Sequence, residues 1–168
     1  MFPNEMLLEG CQIQPGFSPG TLGSALTAIG VSLNGYTRCL ILFHKSIGTA
    51  DPPTLTLMQG TDLTFGTETL LPFRNVYVKQ DPTTLANVGQ WTKIEQALSN
   101  AFSDDDATLE SLWAIDIGTE DMNAEAGMNC IRAVLSGDSG GGQIGSLMYI
   151  AYAPVNATAP ENMAPIVA

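Results

Sequence analysis

What most constrains this chain is a regular return of turn signals, roughly every ten residues, between short runs of β-type residues. Arg38 to Ile47 is apolar at successive positions through Phe43, as expected of a central strand with both faces covered, and it follows the turn signal Asn34-Gly35. Thr54 to Gln59 alternates with period two, and its threonines suit a half-exposed strand. Leu70 to Tyr77 and Leu112 to Ile117 add two more strands, the latter placing Trp113, Ile115 and Ile117 on one face. Cys130 to Ser136 and Ser146 to Ala153 read as a closing hairpin around the turn Gly137-Asp138-Ser139-Gly140-Gly141-Gly142.

Many short strands with Gly and Pro punctuation predict an all-β, antiparallel sandwich over residues 25–154. Pattern alone leaves jelly-roll and immunoglobulin-like strand orders open. Only Trp91 to Phe102 suggests a helix, because Trp91, Ile94, Leu98 and Phe102 would line one helical face; a loop insertion is the alternative. Residues 1–24, with Pro3, Pro15 and Pro19, read as an extended N-terminal arm, and residues 155–168, with Pro160 and Pro165, as a flexible C-terminal tail. Such segments either fray or lie across a neighbouring subunit.

Charge narrows the partners. Seventeen acidic residues against six basic ones give the 168-residue chain a net charge of −11, which argues against nucleic acid and anionic membranes. Between Glu95 and Glu125 there is no Lys or Arg, so this stretch should form an acidic surface or meet a basic one. The N-terminus lacks the pattern of a signal peptide, and no segment reaches the roughly 18 apolar residues of a membrane span. Cys11, Cys39 and Cys130 have no metal-site or disulfide-framework spacing; Cys39 and Cys130, in apolar runs, read as buried thiols of a protein kept in reducing cytoplasm before assembly.

Candidate chemistry is sparse. Gly-Asp-Ser-Gly-Gly also occurs around the nucleophile of trypsin-like serine proteases, which would make Ser139 the nucleophile, His44 its base and Asp62 or Asp81 the orienting carboxylate. His44 lies in an apolar strand without that family's flanking residues, and a turn rich in small residues explains the pentapeptide equally. Asp104-Asp105-Asp106 offers oxygen ligands for a hard cation, yet lacks the alternating acids and sixth-position glycine of a calcium loop. Trp91, Trp113, Tyr36, Tyr77, Tyr149 and Tyr152 would line a sugar-binding face or belong to the core. The sequence therefore assigns no catalytic, cofactor or metal residue and predicts no enzyme.

From Val31 to Pro154 the order of segments resembles head decoration, or cement, proteins of tailed bacteriophages. The residues that carry this are Val31 to Arg38 leading into an apolar strand; Leu55 to Asp62, a threonine-rich strand with Gln59 and a Gly-Thr turn, with Phe65 to Glu68 after it; Trp113 to Ile117, Glu120 to Met122 and Gly127 to Arg132; and the last strand, Gly145 to Tyr152. The resemblance implies a jelly-roll β-sandwich, often a homotrimer, bound to major capsid protein on the capsid surface, with no cofactor or small-molecule substrate. A receptor- or sugar-binding sandwich of a tail fibre and a minimal serine protease are the alternatives.

Overall fold

A computed structural model describes residues 7–49, 51–137, 142–155 and 165–167. The strands are β1 (Cys11–Thr21), β2 (Leu26–Thr27), β3 (Val31–Ser32), β4 (Tyr36–Lys45), β5 (Leu55–Gly60), β6 (Glu68–Leu70), β7 (Phe73–Asp81), β8 (Thr92–Ser99), β9 (Ala101–Phe102), β10 (Glu110–Gly118), β11 (Cys130–Leu135) and β12 (Ile144–Pro154). Short 3₁₀ turns are the helical elements among the described residues. One sheet runs β1-β12-β4-β10-β7-β8; the other runs β2-β11-β5-β6, with β3 also on β11 and β9 on β5.

This order is that of a jelly roll, a long hairpin rolled up around its own tip. The tip is β5·β6. Moving outward from it, β4 pairs with β10, β2 and β3 with β11, and β1 with β12, all antiparallel. Rolling adds β12·β4 and β11·β5, which complete the sheets. The β7–β8 hairpin is inserted between tip and return and widens the first sheet.

The inward faces meet in one apolar core. Cys39, Ile41 and Phe43 of β4, Trp113, Ile115 and Ile117 of β10, and Leu147, Tyr149 and Ala151 of β12 face Leu55, Leu57, Ile131, Ala133 and Leu135 across the gap. Trp113 sits between Phe43 and Phe102 at ring-centroid distances of 4.9 and 5.0 Å. Between β2 and β3 the partner of β11 is interrupted, and the Ala133 N–H donates instead to the buried Tyr149 hydroxyl of the other sheet at 2.8 Å. All three cysteines are buried and free, and burial pushes the Cys39 thiol up to about 12.

The expected all-β sandwich is present, and five local readings are corrected. The closing segments do not form a hairpin: β11 lies in one sheet between β2/β3 and β5, and β12 in the other between β1 and β4. Both edges of each strand are thus taken by other partners. The helix expected over residues 91–102 is β8 and β9, because β7 offers β8 a ladder and Phe102 pairs with Leu55 in the opposite sheet. The arm expected at residues 1–24 contains β1, paired along β12 from Cys11 to Thr21 with register shifts near Pro15 and between Phe17 and Gly20. Proline is tolerated there because β1 is an edge strand. Leu70 to Tyr77 is split, with β6 ending at Leu70 and β7 beginning in the other sheet at Phe73 beyond Pro72. Most of the expected tail, residues 156–164, lies outside the described residues, but Ile166 is buried in the core and its carbonyl accepts the Ser32 N–H at 2.8 Å.

Candidate functional site

Sheet register explains where the acidic stretch finds its counter-charges. Antiparallel pairing sets Gly118 opposite Arg38, Leu112 opposite His44 and Ser111 opposite Lys45. Asp104, Glu110, Asp116 and Glu120 therefore meet the basic side chains of β4, about sixty to eighty residues earlier in the chain.

At one end of β4, the Arg38 guanidinium donates to Asp116 at 3.1 Å, to Glu120 at 2.9 Å and to the Tyr152 hydroxyl at 3.0 Å, while Tyr152 donates to Asp116 at 2.7 Å. Hydrogen bonding to Asp116 and Tyr152 holds the guanidinium more firmly protonated than usual, and burial beside Asp116 raises the Tyr152 hydroxyl. Arg38 and Asp116 are about one-third exposed and Glu120 more so, so solvent screens the cluster and it serves mainly to orient its members.

At the other end, His44 Nε2 donates to Glu110 Oε1 at 2.9 Å, and Glu110 Oε2 accepts the Leu85 N–H at 2.9 Å. These bonds, that of His44 first, hold the Glu110 carboxyl below its ordinary range. Glu110 thus ties the 85–87 turn to the sheet.

Lys45 is on the inward phase of β4 with Phe43 and is fully buried. Its ammonium donates to the Asp106 carbonyl at 2.6 Å and the Leu109 carbonyl at 3.1 Å and forms an ion pair with Asp104 at 3.1 Å. Asp104 also accepts from the buried Ser111 hydroxyl at 2.7 Å. This pair clamps the 103–109 loop over one end of the core.

The sequence-derived candidates disperse. Ser139 lies outside the described residues. The carboxylate on His44 is Glu110, not Asp62 or Asp81, each of which caps its own turn by accepting from Thr64 or from Thr83 and Thr84. Asp104, Asp105 and Asp106 point to different tasks: Asp104 to Lys45, Asp105 to a left-handed backbone position (φ 57°), Asp106 to a cap on Thr108. Among the described residues no group of three His, Cys, Asp or Glu side chains is placed to hold a metal ion. Of the aromatics, Trp113, Tyr36 and Tyr149 are core, whereas Trp91 and Tyr77 are exposed, with the Lys79 ammonium 5.0 Å from the Trp91 ring centre. Sequence reasoning missed the Lys45 clamp. Its signal was a lysine on the buried phase of an apolar strand in a chain with a base-free acidic block.

Fold and clusters define a jelly-roll β-sandwich whose paired ionisable groups fasten loops to sheets. No family model matches the chain, and no curated protein matches it. Among solved structures it is similar to the SPBc2 prophage-derived protein YomS, at a TM-score of 0.48 and 10% identity over 85% of this chain and 93% of that one. No helix among the described residues is long and apolar enough to cross a membrane.

Proposed function

We propose that the chain is a virion structural protein of a tailed bacteriophage, a decoration protein that binds the outer capsid surface and bridges major capsid protein subunits without catalysis. What supports this reading is the place of the segments that carry the family resemblance: they supply β3, β4, β5, β10, β11 and β12, the main strands of the jelly roll. The ionisable clusters agree with such a role, since they fasten loops to a frame that works through its surfaces. A cement protein gains strength from many modest contacts multiplied by lattice symmetry.

The test is to strip capsids of this protein, add it back, and follow DNA release on heating and at low salt. Complete particles are expected to hold their DNA at temperatures where stripped ones leak. Equal leakage, with no protein bound on add-back, would rule the proposal out.

A further inference from the structure

The two outward sheet faces of the sandwich differ in a way the monomer does not explain. On the β2-β11-β5-β6 sheet the outward positions mix Val134, Met58 and Leu70 with Thr27, Thr56 and the Arg132–Glu68 ion pair, so that polar groups interrupt the apolar ones. On the β1-β12-β4-β10-β7-β8 sheet the outward positions at the centre are Leu40, Leu42, Leu112, Met148 and Ile150, with Ile13 at the edge. Register makes them contiguous: Ile150 lies beside Leu40 and Ile13, Met148 beside Leu42, and Leu42 beside Ala114. Met148 and Ile13 are 44% and 41% exposed, so no described residue covers them. Central strand β4 is apolar on both faces, the pattern of a strand with both faces covered.

We propose that this face is covered by a second copy of the same chain. Charge is the first reason for choosing that occupant. The strands of this sheet carry Arg38, Lys45, Arg74, Lys79 and Lys93 against Asp81, Glu95, Glu110 and Asp116, so none of the chain's acidic excess of eleven falls on them. Two copies of a chain at −11 repel over the rest of their surfaces and can meet here. A basic partner would instead seek the acidic surface elsewhere.

Size is the second reason. Four strands about 4.8 Å apart with about two outward apolar residues per strand make a patch of about 20 by 14 Å, on the order of 280 Å². That is about a third of the roughly 800 Å² per partner of a standard interface, suited to an apolar centre within a polar rim. Rim groups stand at both ends of β4: Arg38 with Asp116, Glu120 and Tyr152, and His44 with Glu110.

Light scattering on purified protein at micromolar concentration tests this independently of any capsid. The wild-type chain is expected at no less than twice 17.7 kDa. Leu42→Glu and the more exposed Met148→Glu are expected at the single-chain mass with unchanged circular dichroism, while Thr56→Glu on the other sheet keeps the wild-type mass. If Leu42→Glu misfolds, Met148→Glu decides. A wild-type protein at 17.7 kDa, or a folded Met148→Glu that keeps the wild-type mass, overturns the proposal.

Discussion

At the scale of single residues, the decisive feature is the Lys45–Asp104 ion pair, taken out of water, with the ammonium also donating to two backbone carbonyls. Breaking such a pair leaves one uncompensated buried charge, which costs about 3–5 kcal/mol, whereas replacing both partners with apolar residues is much milder. Lys45→Ala is therefore expected to lower unfolding free energy in urea by about that amount, and Lys45→Met with Asp104→Leu by clearly less. A double variant as unstable as the single would refute this account. Glu110 makes a different prediction. Its folded pKa is depressed, so its contribution is present above the unfolded value of about 4.3 and is lost as pH falls through the lower folded value. The stability gap between wild type and Glu110→Gln, measured as urea midpoints, should hold from pH 7 to about 5 and narrow below about 4. A gap constant with pH would show that the His44 and Leu85 bonds do not act through the carboxylate charge. Lys45 was legible in part, by its phase on β4. Its partner was not, because register decides which of nine nearby carboxylates arrives.

At the scale of elements, alternation located β4, β5, β10, β11 and β12 well, since each has one face in a continuous core. It failed where a segment changes sheets. Trp91, Ile94, Leu98 and Phe102 have helical spacing, yet Ile94 and Leu98 lie on β8 in one sheet and Phe102 on β9 in the other, and Trp91, just before β8, and Leu98 remain exposed. It also failed at β1, where prolines and bulges hide the period of an edge strand. The end of the chain shows the same limit: small residues around Pro165 suggested a loose tail, but Ile166 is 3% exposed and its carbonyl accepts from Ser32 beside β3. Removing a buried Ile side chain to Ala costs about 2–5 kcal/mol. Ile166→Ala should therefore destabilise the whole sandwich by about that range in equilibrium unfolding, and a change below about 0.5 kcal/mol would show that the seat carries no load.

At the scale of the whole molecule, a jelly roll with one mixed and one mainly apolar outward face has a direction built into it. If the apolar face joins copies, each assembly presents several equivalent surfaces to a capsid, and linked sites hold on far longer than single ones. In the particle experiment, Met148→Glu is accordingly expected to bind stripped capsids but wash off faster than wild type; equal retention would mean that pairing and capsid binding are unconnected. By itself the sequence determined the strand-rich class, the burial of Cys39 and Cys130, the strongly acidic character and the two-faced apolarity of β4, because each is a property of composition or of alternation within one strand. Only the tertiary structure decided that β11 and β12 lie in opposite sheets, that residues 11–21 and 92–99 are edge strands, and that Arg38, His44 and Lys45 answer the acidic stretch. The physical reason is that pairing and register are relations between distant segments: strand periodicity says which side of a strand is buried, and rolling the long hairpin decides what lies beside it.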